Sequence, residues 1–509
     1  MRVENFKPVC LGSVVVIFMA IGLTVGVRAD TLLDTDFESD PQAQGWTTNG
    51  TGTAWTTNAA CSGTYSLTAS NGGTWLSPLL PTTPLQWYRL SFKSKAPGLV
   101  NNPGSEGYAY WAASYFDTNG NPLIPDQYSS LFASADWVTN EFRIRAKNTA
   151  GTNATLAPVL MAVKFQSISP QVFIDDVVVE TTTPAEVAQW GDAAYDALPA
   201  KLAYVPKANR WTHLPLTLNR LRTGQRLRIV MLGDSVQSDT QNSPFDAWLE
   251  RLYPGATIEL IDSIIGGGSV GYFRTNMAAA VFAYQPDLLC IGGISNGDDL
   301  SAFQSVVNQV RTNDFATGRT TEILILSAQW SPNTNSGDYF IAPGLTELDP
   351  VATNNPGGVP AGYRGDLLGF CATNNIEYLD LSGVASEFVY GPAAAAGVGP
   401  PADGSGNPYG YWMRDLIHSN DRGKLIQGRM LEAYFAPAPV LSIGQSAGLL
   451  QLAWPLAATG YHLETAAALA ASARWTSNRM EFVITNGQNM VATNLSMGTA
   501  SLYYRLSRP

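Results

Sequence analysis

The chain is poor in cysteine, histidine and charge. Its 509 residues hold 4 cysteines and 3 histidines, and Asp, Glu, Lys and Arg together make up only 14%. Cys10 falls in an N-terminal leader, which leaves Cys61, Cys290 and Cys371, an odd number at long spacings. That excludes a disulfide framework and a cysteine or histidine zinc site. One bridge between Cys290 and Cys371 stays open. Cys290, however, lies in the apolar run Leu288-Leu289-Cys290-Ile291, where a reduced, buried thiol is favoured. Basic residues are outnumbered 30 to 41, a formal net charge of −11 that disfavours nucleic acid and anionic lipid as partners.

Long apolar runs are also scarce. The single candidate spans Val9 to Val27, preceded by Arg2 and Lys7 and followed by Val27-Arg28-Ala29, a small-residue cleavage pattern. Gly12, Ser13, Gly22, Thr24 and Gly26 interrupt it, whereas a spanning helix needs about 20 predominantly apolar residues. Residues 1–29 therefore read as a signal peptide cleaved near Ala29, and the protein is expected to be secreted or periplasmic, without stable membrane association. Loss of Arg2, Lys7, Arg28 and Glu4 takes the net charge from −11 to −13.

The remaining 480 or so residues exceed one core, at the usual scale of about 100 to 200 residues per domain. Residues 30–182 are rich in Thr, Asn, Gly and Ser. They carry alternating runs such as Trp87-Tyr88-Arg89-Leu90-Ser91-Phe92 and Gln171 to Val179, the period-two signature of a β-sandwich. Six of the 13 tryptophans fall here: Trp46, Trp55, Trp75, Trp87, Trp111 and Trp137, joined by Tyr108, Tyr110, Tyr115 and Phe116. Any one of them fits a core; together, with so little charge, they also suit a surface that stacks on sugar rings.

Thr181-Thr182-Thr183-Pro184 reads as a linker, and a helix follows over 185–198, so that residues 183–199 connect the module to what comes next. From Arg226, strands and helices alternate. The strands are expected at 227–232, 257–261, 287–292, 322–327 and 376–381, with helices at 245–252 and 300–311, a parallel sheet covered on both faces over residues 200–436. After Ala436-Pro437-Ala438-Pro439 the pattern returns to short alternating strands, a small β-sandwich over 437–509.

The chemistry-bearing residues lie in the α/β stretch. Gly233-Asp234-Ser235-Val236 directly follows the apolar run 227–232, so Ser235 is delivered at the end of a buried strand on a turn tight enough to need glycine. Of the three possible bases, His213 precedes the first strand and His462 sits in the last module. His418 stands in Asp415-Leu416-Ile417-His418 at the entry to a helix, where a carboxylate three residues back can orient its ring. The second strand runs into Gly266-Gly267-Gly268 and the third into Ile294-Ser295-Asn296. Carboxyl ends of adjacent parallel strands converge on one crevice, so all these groups can meet there.

The ordered set resembles the SGNH, or GDSL, hydrolase family across roughly residues 200 to 435. The resemblance implies a flavodoxin-like α/β/α core and a serine esterase in which Ser235 is the nucleophile, His418 the base and then acid, and Asp415 the orienting carboxylate. It also implies an oxyanion hole formed by the Ser235 N–H, the Gly268 N–H and the Asn296 side chain, with no catalytic cofactor or metal. Ser263 stands where the family usually has asparagine, which leaves Gly267 as an alternative to Gly268. A rival elbow, Gly267-Gly268-Ser269-Val270-Gly271, is matched equally by Gly444-Gln445-Ser446-Ala447-Gly448 in a β module, so the pattern carries little information in this glycine-rich chain.

Residues 34–38 and 173–176 resemble the first and last strands of galactose-binding-like jelly rolls, which include many carbohydrate-binding modules. That likeness implies a structural calcium near Asp36, Glu38 and Asp176; solvated turn carboxylates explain them equally well. The last module resembles fibronectin-like modules of secreted bacterial enzymes. The expected function is hydrolysis of short acyl esters, O-acetyl above all, on polysaccharides or oligosaccharides. A lipase or general carboxylesterase is the alternative among enzymes, and an inactive glycan-binding or adhesion protein the alternative of another class. The stretch from Ser331 to Tyr411 is expected to shape the rim of the site.

Overall fold

In a computed structural model, the described residues are 29–99, 109–148, 158–207, 209–294, 299–328, 343–348, 362–399, 411–437 apart from 416, and the strands between 441 and 507. Residues 1–28, and with them the leader, lie outside this set. No helix among the described residues is long and apolar enough to cross a membrane.

The N-terminal region forms two six-stranded antiparallel sheets. One runs in the order 134–145, 87–96, 172–182, 66–69, 53–56, with 31–35 added to 172–182; the other runs 47–49, 74–76, 160–167, 109–116, 122–130, with 80–81 added to 160–167. The inward residues of the two sheets make one core. The strand 87–96 shows the pattern directly, burying Leu90, Phe92 and Ala96 at alternate positions against Trp46, Trp75, Trp111 and Phe165. Four of the six tryptophans are thus buried, namely Trp46, Trp75, Trp87 and Trp111. The aromatic richness is chiefly core, and Trp55 and Trp137 keep partial exposure.

The linker becomes a helix, Pro184–Asp196, whose Thr183 and Glu186 form a reciprocal capping box. Five parallel strands follow: β1 (Arg226–Gly233), β2 (Thr257–Ile264), β3 (Leu288–Gly292), β4 (Glu322–Leu326) and β5 (Glu377–Leu379), in spatial order β2-β1-β3-β4-β5. This is the doubly wound order whose switch point falls between β1 and β3. The main helices are α1 (Ser235–Gln241), α2 (Phe245–Leu252), α3 (Leu300–Thr317), α4 (Tyr363–Asn374), α5 (Leu381–Phe388) and α6 (Asp421–Phe435).

Alternation along β1 sends Leu227, Ile229 and Met231 to one face, against α2, α6 and the 184–196 helix. Val230 and Leu232 go to the other, against α3 and α4. Buried on both faces, the strands read as nearly continuous apolar runs. Cys290 belongs to the first core and Cys371 to the second, on opposite sides of the sheet, and both are free thiols, as is Cys61. The bridge left open by the sequence is absent. The final region is a four-stranded and a three-stranded sheet around Leu452, Trp454, Leu463 and Val491.

Candidate active site

The turn after β1 is built by close backbone approach. A Cβ at Gly233 would lie 2.2 Å from the Gly292 carbonyl oxygen of β3, so only glycine lets the two strand ends converge. Asp234 caps α1, accepting the N–H of Val236 at 2.9 Å and of Gln237 at 3.3 Å on Oδ1. Its Oδ2 accepts the Ile294 N–H at 2.8 Å, which ties the Ser235 turn to the loop after β3. There Gly293 has φ +102°, and a Cβ would meet Asp234 Oδ1 at 2.3 Å. On the other side the Ile265 N–H donates to the Gly233 carbonyl at 3.0 Å. Ser235, at the first position of α1, is held by both neighbours of β1.

His418 Nε2 lies 2.7 Å from Ser235 Oγ, although 183 residues separate them. Its Nδ1 lies 2.8 Å from Asp415 Oδ2 and 3.0 Å from Oδ1. Asp415 Oδ1 also accepts the N–H of Ile417 at 2.9 Å and of His418 at 2.8 Å, so the carboxylate shapes the short loop as well as the ring. Burial pushes the Asp415 carboxyl up. The hydrogen bond and charge of His418, the charge of Arg414 and the Ile417 N–H outweigh it and hold the group at about 2. Asp415 therefore stays ionised wherever histidine changes charge.

The loop is clamped to the helix that begins at Ser235. Arg414 Nη1 donates to Asp239 Oδ1 of α1 and to the Ser419 carbonyl, each at 3.0 Å, and the Ser419 N–H donates to Asp239 Oδ2 at 2.8 Å. Asp239 lies one turn beyond Ser235, and both charged side chains are about 5% exposed. Met413 and Ser419 pair as an antiparallel bridge, and the Arg414 N–H donates to the His418 carbonyl at 3.0 Å. Sequence reading missed Asp239 and Arg414. Nothing local marks an Arg and an Asp 175 positions apart as partners.

The expected oxyanion donors meet mixed outcomes. The Ser235 N–H belongs to the first turn of α1, where backbone donors lack intrahelical acceptors. The Gly268 N–H instead donates to the Ile265 carbonyl at 2.8 Å and closes a turn whose third residue, Gly267, has φ +68°. That N–H is engaged within its own turn. Asn296 lies outside the described residues.

The rival elements take structural roles. Ser269 caps the helix Val270–Phe273, with Oγ accepting the Tyr272 N–H at 3.3 Å, and Ser446 ends a strand. The His213 N–H donates to Glu377 at 3.0 Å, at the amino end of β5 and so at the sheet edge opposite the site. The calcium candidates do not converge. Glu38 Oε1 accepts the N–H of Thr64 and of Tyr65, Asp36 accepts that of Glu38, and Asp176 accepts the Ser62 hydroxyl. Glu38 and Asp176 thus pin the turn at 62–65, and among the described residues no cluster of three or more metal-ligating side chains exists. The 331–411 stretch supplies α4, β5 and α5 to the α/β unit; its segments 331–342, 349–361 and 400–410 lie outside the described residues.

No family model matches the chain, and no curated protein matches it. Among solved structures it is similar to a two-domain esterase active on acetylated mannans, crystallised with mannopentaose: 14% identity over 59% of this chain and 90% of that one, TM-score 0.31. It is also similar to tandem family 22 carbohydrate-binding modules from Paenibacillus barcinonensis, at 16% identity over 30% of this chain, TM-score 0.23; it spans 46% of that structure's length. A family 11 carbohydrate-binding module from Clostridium thermocellum, in complex with a mixed-linked tetrasaccharide, shares 15% identity over 30% of this chain and 95% of that one, TM-score 0.20.

Proposed function

We propose that the protein is a secreted serine esterase of the SGNH type that removes short acyl groups, O-acetyl above all, from glycans. The observation that carries this reading is the continuous line from Ser235 Oγ to His418 Nε2 at 2.7 Å and from His418 Nδ1 to Asp415 at 2.8 Å. Ser235 attacks the ester carbonyl while His418 takes its proton, and Asp415 holds the ring and stabilises the imidazolium. The oxyanion is met by the Ser235 N–H and by donors from the glycine loop and Asn296. His418 then protonates the departing sugar oxygen, and water, deprotonated by the same ring, attacks the acyl-serine carbonyl, breaks the Ser235 ester bond and releases the acid. None of these steps asks for a cofactor.

The sugar part of the proposal is supported beside the site. Arg422, in the first turn of α6, is sandwiched between the rings of Phe132 from the N-terminal module and Tyr411, at 4.0 and 4.1 Å from their centroids. Flat rings interleaved with donors suit a polyhydroxylated, uncharged ligand better than a long acyl chain. The test is the acyl-chain series of p-nitrophenyl esters, followed by acetate release from acetylated xylan, mannan and pectin. Preference for acetate and release from at least one glycan is expected; preference for chains of about eight carbons or more would favour a lipase.

A further inference from the structure

The N-terminal module contacts the α/β unit at three places, each on an element that carries or adjoins a site residue. Arg145, the last residue of the strand Ser134–Arg145, places Nη1 2.6 Å from Asp246 Oδ2 at the start of α2. Its Nη2 donates at 2.9 Å to the carbonyl of Gln241, the final residue of α1. Two residues on, Lys147 Nζ lies 2.8 Å from Asp262 Oδ2, and Asn148 Oδ1 accepts the Asp262 N–H at 3.3 Å. Asp262 stands in the last turnward stretch of β2, three residues before the Ile265 N–H that holds Gly233. Phe132 stacks on Arg422, four residues past His418.

The two charge pairs are buried. The side chains of Arg145 and Asp246 are 6% and 5% exposed, and those of Lys147 and Asp262 are 2% and 0%. Trp87 of the module also joins the core on one face of the parallel sheet, with Val187 and Ala188 of the connecting helix. Charge pairs this dry hold a fixed geometry, because separation strands a buried ion. A binding module that merely tethers an enzyme to its polymer needs none of this; linked domains usually meet through smaller, more polar contacts.

We infer that the N-terminal β-sandwich is a positioning element of the active site, with Arg145 fixing the nucleophile helix through its last carbonyl and Lys147 fixing the strand that leads into the glycine loop. The inference rests on the esterase reading. Small shifts in such a framework are costly, since a displacement of about 1 Å can lower the rate of order 10²-fold.

The experiment uses the full chain. Arg145→Met tests the brace, and Arg145→Met/Asp246→Leu removes both charges, so that the buried pair is replaced by apolar side chains and folding is retained while the Gln241 carbonyl still lacks its donor. Lys147→Met/Asp262→Leu does the same at β2. Turnover of p-nitrophenyl acetate, thermal unfolding and the rate of Ser235 labelling by a fluorophosphonate are read together. Both double variants are expected to unfold within a few degrees of the wild type, with kcat and labelling rate about 10- to 100-fold lower and KM within about twofold. Arg145→Lys is expected to recover part of kcat, as it keeps the charge but not the fork that reaches two acceptors. Double variants that fold normally and keep kcat within twofold overturn the inference alone. A wild type that neither hydrolyses any tested ester nor takes the label overturns the esterase reading and this inference with it.

Discussion

Replacing Asp415 by Asn is the substitution whose outcome the geometry specifies most closely. In the native loop Oδ1 accepts two backbone N–H groups, from Ile417 and His418, while Oδ2 faces His418 Nδ1 at 2.8 Å. An asparagine can keep its oxygen on the two N–H groups. Its amide NH₂ then replaces Oδ2 and donates to Nδ1. A neutral ring accepting there carries its proton on Nε2, 2.7 Å from Ser235 Oγ, where a base must be free of one. The charge that stabilises the imidazolium disappears as well. By analogy with the corresponding exchange in the serine-protease triad, kcat should fall about 10⁴-fold. That equals about 5 kcal/mol of transition-state stabilisation.

Stability should hardly move, because the loop keeps its backbone bonds and a carboxylate one-third exposed contributes at most about 1 kcal/mol through its charge. The assay is p-nitrophenyl acetate hydrolysis across pH 5 to 9, with thermal unfolding on the same samples. An Asp415→Asn protein that keeps more than about a tenth of wild-type kcat at neutral pH refutes the reasoning, for then the tautomer is not controlled from this carboxylate.

Four further outcomes follow. Asp239→Asn and Arg414→Met loosen the clamp between α1 and the Asp415–His418 loop, and each should lower kcat by at least about tenfold with little change in KM, measured by steady-state kinetics. Burial raises the Glu347 carboxyl to about 7 despite the Tyr204 hydroxyl that donates to it at 2.8 Å. A raised carboxylate weakens the fold as pH rises from about 4.5 through 7, so Glu347→Gln should raise the melting temperature at pH 8 and leave it unchanged near pH 4. Asp415 has the opposite sign: its small contribution, at most about 1 kcal/mol, is present above its ordinary value of 3.8 and is lost as pH falls toward 2, so the slight stability difference between wild type and Asp415→Asn should vanish in acid unfolding. Gly293→Ala, meeting Asp234 Oδ1 at 2.3 Å, should displace the Ser235 turn and cut both stability and turnover, read by unfolding and kinetics.

The parallel sheet was legible because strands buried on both faces are written as unbroken apolar runs, and all five fall where such runs predict, to within a few residues at each end. The convergence of Ser235, Asp415 and His418 was legible because a Gly-Asp-Ser after a strand and an Asp-x-x-His before a helix are short, ordered signals. Asp239, Arg414, Arg145 and Lys147 were not. Each acts through a partner distant in sequence, and an ion pair has no periodicity. Glycines 233 and 293 carried a turn signal, but their reason is tertiary, the approach of one strand end to the next. The tryptophans misled for the same cause: composition counts aromatic rings and does not say which way they point, and most point inward. Glu38, near the start of the first module, likewise serves backbone N–H groups of a neighbouring turn, a pairing invisible from composition.

The central claim is that Ser235 is the nucleophile of an esterase acting on acylated glycans. Acetate released from acetylated xylan and mannan by the wild type and by Ser235→Ala, compared side by side at equal protein concentration, tests it most directly. The wild type is expected to release acetate and the variant to lose at least about 10⁴-fold of that rate, with an unchanged melting temperature. A Ser235→Ala protein that releases acetate at the full wild-type rate contradicts the claim.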